Sequence, residues 1–270
     1  MEIRGNGKMR SAVFYGRHDL RTEEHEMPSV GPEDVLIQIR ACGVCGTDVH
    51  IYEGDKGAAE VTPPTIPGHE FSGIVVETGE AVSSVRPGDR VCVDPNCYCG
   101  KCGFCRQGVP HFCEHMIGYG TTVNGGFAEY CAVRESQVYR LGDHTSFEQG
   151  AMTEPVACCL HGIDLCDIRP GHQVVIIGGG MIGLLMLQLA KLAGGDCGKA
   201  GSGSVPGSCG GGHRYQKSAQ RGGIYLDPDG DRVRGTSFHH RAGDRAGGSQ
   251  GGGHDVRPDQ AGGGGFREAV

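Results

Sequence analysis

Beyond Gly194 this chain loses the composition from which a packed core is made. Residues 195–270 hold 22 glycines in 76 positions, against roughly 7% glycine in ordinary proteins. The same stretch has only six Ile, Leu and Val together. So little apolar surface cannot offset the entropy of ordering a chain, so this stretch is expected to be loose. Any folded unit must therefore be built from the first 194 residues. Arginines beside glycines, at 220–223 and 241–248, raise the idea of an RNA-binding tail. Few aromatics and interspersed acids give no basic face to support it. A shifted reading frame in a GC-rich gene would produce the same bias toward Gly, Arg, Ala, Pro and Asp.

The folded part divides in two. Up to about Ile163, short apolar or alternating runs are punctuated by Gly and Pro, as in a β-rich domain. Val35 to Ala41, Phe71 to Thr78, Arg90 to Asp94 and Phe127 to Val133 are the expected strands, with a turn over 86–90. Farther on, the wholly apolar Val174 to Ile177 suits a buried parallel strand. A glycine turn from Gly178 to Gly183 follows, and Met181 to Leu192 is rich in the helix formers Leu, Met and Ala. Strand, glycine turn and helix open a nucleotide-binding βαβ unit.

The net charge of −7 argues against nucleic acid or an anionic membrane as partner. No apolar run approaches the length needed to span a bilayer, and no apolar segment follows Met1 to Lys8 as a secretory signal would require. The expected location is the cytoplasm. In a reducing compartment the fourteen cysteines point to metal ligands and small core residues rather than disulfides.

Four of them, Cys99-x2-Cys102-x2-Cys105-x7-Cys113, have the spacing of a closed four-thiolate zinc shell. With no open coordination position, its role would be structural. Cys97 is a nearby fifth cysteine that could substitute, although Cys99 keeps the regular spacing. A second constellation joins Cys45, in Cys42-Gly43-Val44-Cys45-Gly46-Thr47-Asp48-Val49-His50, with Gly68-His69-Glu70. His69 alone would be read as an ordinary hydrogen-bonded histidine. Together Cys, His and Glu make a set suited to an open catalytic zinc.

These segments, in this order, resemble the zinc-containing medium-chain dehydrogenase/reductase family over about residues 9–194. The resemblance implies an α/β protein with a β-barrel: a GroES-like catalytic domain over 1–165, then a Rossmann-type NAD(P)-binding domain over 166–270 that looks incomplete. It implies that Cys45 and His69 bind a catalytic zinc, with Glu70 as alternate ligand or neighbour, and that Cys99, Cys102, Cys105 and Cys113 bind a structural one. The third catalytic ligand distinguishes branches of the family. Here Glu154, in Glu154-Pro155, matches the sorbitol, threonine and butanediol dehydrogenase type. Cys158 and Cys159, in an expected helix from Val156 to Leu165, are read as core. Gly178, Gly180, Met181, Ile182 and Gly183 match the dinucleotide turn. The acidic residue expected about 20 positions on, which would hold the adenosine ribose, is not evident, and NAD versus NADP stays open. Thr47 would take a hydrogen bond from the zinc-bound alcohol and begin a proton relay, with His50 a later member.

The implied activity is hydride transfer from a secondary alcohol, such as the polyols sorbitol or xylitol, to NAD(P). L-threonine or butanediol oxidation is the near alternative within the same class, and an inactive truncated zinc-binding relic is the alternative of a different class. The family implies a homo-oligomer. The chain ends before a second βαβ half is visible, so two zincs are expected to bind while activity is weak or absent.

Overall fold

The computed structural model describes residues 7–55 and 61–197, together with the backbone of 223–227 and 234–236. Strands β1 (Lys8–Gly16), β2 (Asp19–Glu26) and β3 (Asp34–Gly43) are followed by helix α1 (Gly46–Glu53) and β4 (Glu70–Thr78). Next come β5 (Arg90–Val93), β6 (Asn96–Cys97), the single turn α2 (Gly103–Arg106) and β7 (Ile117–Gly118). Strands β8 (Tyr130–Arg134) and β9 (Val138–Arg140) precede helices α3 (Phe147–Ala151) and α4 (Thr153–Leu165). Last are β10 (Gln173–Ile177), α5 (Met181–Leu192), β11 (Asp196–Cys197), β12 (Gly223–Asp227) and β13 (Arg234–Thr236).

Strand β3 organises the first part because both of its faces are covered. Val35 and Ile37 point into a core with Phe71, Val75, Val91, Val93 and Val133. Leu36, on the opposite face, packs with Met9, Val13, Ile66 and Tyr130. Each such side chain contributes about 1.5–3 kcal/mol by leaving water, so the strand cannot slip by one residue without inverting both cores. The sheet around it is five-stranded and antiparallel, in the order β8-β3-β4-β5-β9. The β1-β2 hairpin lies beside it, with Ala12 N–H bonded to Phe127 C=O at 2.8 Å and Phe14 N–H to Thr65 C=O at 2.8 Å. Among the described residues this sheet is open, β8 and β9 forming its two edges, so the closed barrel that the resemblance implied is not seen. The strand expected over 127–133 begins later, at Tyr130. Residues 127–129 instead exchange backbone bonds with Pro67, Arg10 and Ile39 as they cross toward the hairpin.

A third core joins α4, β10 and α5 through Ile163, Val174 and Ala190. Here β11 pairs parallel to β10 and β12 pairs antiparallel on the other side. The α5 connection thus makes one short βαβ unit, and the sheet beyond it is mixed. The expected loose tail is described only at β12 and β13. The arginine-glycine segments at 220–222 and 241–248 lie outside the described residues. No helix among the described residues is long and apolar enough to cross a membrane.

Candidate metal and dinucleotide sites

The four-cysteine lobe follows from short-range geometry. Between β6 and β7 the chain makes one helical turn and a 3-10 turn at Pro110–Phe112, neither with a buried residue. It brings ligand atoms of Cys99, Cys102, Cys105 and Cys113 within 4.8 Å of one another. Sulfur separations are 3.4 Å for Cys102–Cys105, 3.9 Å for Cys99–Cys105 and 4.0 Å for Cys102–Cys113. A tetrahedron with Zn–S bonds near 2.3 Å has edges of about 3.8 Å, inside that spread. Backbone amides point at the sulfurs: Lys101 and Cys102 N–H donate to Cys99 Sγ at 3.4 and 3.3 Å. His115 N–H donates to Cys113 Sγ at 3.4 Å. Donors of this kind favour thiolates. The amides of Lys101 and Cys102 lower the Cys99 thiol, and those of Cys105 and Glu114 bring Cys102 down to about 6. Cys105 moves the other way, pushed up to about 12 by burial and by its thiol neighbours. Cys97 is excluded from the lobe, because β6 pairs it with Ile117 and turns it into the first core.

The second site is assembled from distant segments by strand register. In the antiparallel pair, Gly43 lies opposite Glu70 and Cys42 opposite Phe71. Cys45, two residues beyond β3, is therefore carried to His69, one residue before β4. Ligand atoms of Cys45, His69 and Glu70 lie within 4.8 Å of one another. Gly43 makes room for this. A Cβ there would run into the Glu70 carboxylate, with the Glu70 Cβ only 3.2 Å away.

Asp48, whose part sequence reasoning missed, ties the site together. It is buried, accepts the Cys45 N–H at 2.8 Å through Oδ2 and accepts the Gly68 N–H at 3.3 Å through Oδ1. The signal available was its place three residues after Cys45, where an acid caps a helix start. Its Oδ1 lies 3.6 Å from His69 Nδ1, too far for a hydrogen bond, and that buried nitrogen has no hydrogen-bond partner. Burial alone would lower the His69 pKa. Asp48 and Cys45 beside the ring outweigh it and raise the value to about 10. A ring bracketed by a carboxylate and a thiol attracts positive charge. A divalent cation satisfies that demand better than a proton, and the thiol-imidazole-carboxylate set fits zinc. Burial raises Glu70, the His69 charge opposes the shift and Glu154 reinforces it.

The remaining expected residues are nearby to different degrees. Glu154, in the first turn of α4, stands outside the Cys45-His69-Glu70 group, yet its charge reaches Glu70. The helix starts at Thr153, earlier than expected, because Pro155 is tolerated in a first turn and Glu154 suits the helix dipole there. Cys159 is core, as expected; Cys158 is not. It lies on the exposed face of α4, and its S–H donates to Glu154 Oε1 at 3.3 Å, the i,i+4 neighbour. Thr47 is exposed, with its Oγ1 3.7 Å from Cys45 Sγ. His50, farther along α1, pairs with Asp55 rather than with any residue of the cluster.

The glycine turn has the shape of a cradle. Gly178 has φ +105°, and a Cβ on Gly183 would strike the Gly178 carbonyl, so the turn packs against the helix only with glycine at both ends. Above Gly179 and Gly180 nothing lies within 4 Å of a Cβ position. Gly180 is the N-cap of α5 without a side-chain cap, and Met181 and Ile182 are exposed at its first turn. Open space over the first turn of a helix without a side-chain cap fits a pyrophosphate. Asp196 does not fit the ribose. It pairs with Gln173 at the start of β10, about 16 Å of strand from the glycine turn.

With this geometry in place, the comparisons identify the central part of the chain. Residues 31–143 match the alcohol dehydrogenase GroES-like domain family. Over about residues 9–194 the chain resembles the zinc-containing medium-chain dehydrogenases. It is 41% identical over 185 residues to D-arabinitol dehydrogenase 1 of Uromyces fabae, covering 68% of this chain and 52% of that one. It is 41% identical over 170 residues to L-threonine 3-dehydrogenase of Caldanaerobacter subterraneus subsp. tengcongensis, covering 63% and 49%. A candidate zinc-binding dehydrogenase of Sinorhizobium meliloti 1021, solved with NADP, superposes with a TM-score of 0.66 at 42% identity, covering 70% of this chain and 54% of that one. The chain thus spans about half the length of the curated relatives it matches.

Proposed function

We propose that this chain is a zinc-dependent oxidoreductase that transfers hydride from a secondary alcohol of the polyol class to NAD(P). The observation that carries the reading is the meeting of Cys45, His69 and Glu70 within 4.8 Å at the end of β3. When bound there, zinc would supply Lewis acidity toward the substrate hydroxyl. Cys45 and His69 would hold the ion, with Glu70 in the same cluster and Glu154 as a further carboxylate, and Thr47 would accept a hydrogen bond from the substrate hydroxyl. His50, exposed on α1, would be a later member of that relay. Cys99, Cys102, Cys105 and Cys113 would hold a second, structural zinc. Gly178, Gly180, Met181, Ile182 and Gly183 receive the dinucleotide.

In this reading the chain divides near 165/166, at the end of α4, with Ile163 of that helix packed into the core that follows, against Val174 and Ala190. The closed GroES-like barrel and a homo-oligomer belong to the same proposal. Oxidation of L-threonine or a butanediol is the near alternative, since a threonine dehydrogenase is as similar in sequence as a polyol dehydrogenase. A specific observation favours a further reading, a zinc-binding relic without turnover: β12 lies antiparallel beside β10, and Asp196 sits at the wrong end of its pair for a ribose.

The test is to measure zinc content and NAD and NADP reduction on the purified chain, with arabinitol, sorbitol, L-threonine and 2,3-butanediol offered in turn. Two zincs with polyol-dependent reduction support the main reading. Two zincs with no reduction by any of the four leave the relic.

A further inference from the structure

Asp55 has no part in the reading above, and its contact with His50 is specific. Helix α1 stops at Gly54, whose left-handed backbone (φ 72°, ψ 23°) turns the chain back on itself. Asp55 N–H then bonds to the His50 carbonyl at 2.9 Å. The same residue's Oδ2 lies 3.0 Å from His50 Nδ1. Residue 55 therefore grips residue 50 at two points, one through the backbone and one through the side chain. An ionised carboxylate can only accept, so the contact requires the proton on Nδ1. That leaves Nε2 as the ring's accepting nitrogen.

We infer that Asp55 is a positioning residue that fixes the tautomer of His50 and so selects Nε2 as the atom that exchanges protons. The inference rests on the proposed relay role of His50 for its purpose, but the pairing itself is measurable without turnover. Which ring nitrogen works in a histidine relay is set by the hydrogen bond its other nitrogen makes. Both side chains are more than half exposed, at 53% and 61%, so the bias is modest.

The experiment is long-range proton-nitrogen correlation on the full chain with nitrogen-15 histidine, His50 being assigned by His50→Gln. It is run at mildly alkaline pH. The expected spectrum shows His50 protonated at Nδ1. In Asp55→Ala the ratio of the two tautomers should shift toward Nε2–H by about two- to fivefold. Alanine keeps the backbone N–H to the His50 carbonyl, so α1 stays capped and loss of fold is not the cause. A wild-type His50 already in the Nε2–H form, or a ratio unmoved by Asp55→Ala, overturns the inference. Where polyol oxidation is measurable, Asp55→Ala should lower kcat by a similar factor with KM little changed, and do nothing further in a His50→Gln background. Turnover unaffected by His50→Gln, alongside the tautomer shift, would count against the relay reading and leave the pairing standing.

Discussion

The two candidate metal sites of this chain are made in opposite ways. The four-cysteine lobe takes its donors from fifteen consecutive residues and has almost no core of its own: neither of its short helical turns buries a residue, and Phe104 and Phe112 stand exposed. The Cys45-His69-Glu70 site takes its donors from segments joined by sheet register, directly against a core of fully buried valines, Ile37 and Phe71. In the lobe a metal would hold the fold. In the other site the fold would hold the metal.

The largest expected effect tests that asymmetry directly. A structural zinc in a small site contributes about 10–16 kcal/mol to ordering it. Stripping metal with a strong chelator should therefore abolish amide-exchange protection over residues 99–113 while Val35, Leu36 and Ile37 stay protected. Simultaneous loss in both regions would break the comparison. Next in size, Cys45→Ala combined with His69→Ala should reduce zinc from about two ions per chain to one, with the lobe still protected. Loss of both ions would mean that the sites are not independent.

A smaller effect probes the packing around Glu70. Gly43→Ala places a methyl group against that carboxylate and should cost about 1–3 kcal/mol in denaturant unfolding. An unchanged midpoint would show that the carboxylate moves freely. The smallest concerns the metal-free chain. The His69 pKa is raised in the folded state to about 10. Its contribution is therefore fully present below the unfolded value near 6.5 and is lost as pH rises through 10. Asp48→Asn should remove about 1 kcal/mol of that pH dependence. Identical stability-pH curves for the two proteins would dismiss Asp48 as the partner of the ring.

The same contrast explains what was legible in the sequence. Cysteine spacing marks the lobe, since four donors within one loop can hardly avoid meeting. Only strand pairing decides between Cys97 and Cys99, because it turns the former into the core. Cys45 and His69 are legible through their motifs, but the closeness of Glu70 depends on a register that no local pattern prints. Glu154 was legible as a candidate, and its distance from the cluster was not. Cys158 was misplaced because a helix carrying two adjacent cysteines must turn one of them outward, and the sequence does not say which. The βαβ opening was clear from an apolar strand and a glycine turn. What lies beside β10 was not, because a composition so poor in apolar residues has no periodicity to read.

Asp48 carries a consequence for how the second site responds to motion. One carboxylate grips the amide of Cys45 and the amide immediately ahead of His69. Donors from separate stretches of chain are thereby yoked, so that a tilt of α1 drags the histidine along with the cysteine. The gap between them behaves like the jaw of a fixed wrench, and a cation seated there would meet the same opening however the surrounding helix sways.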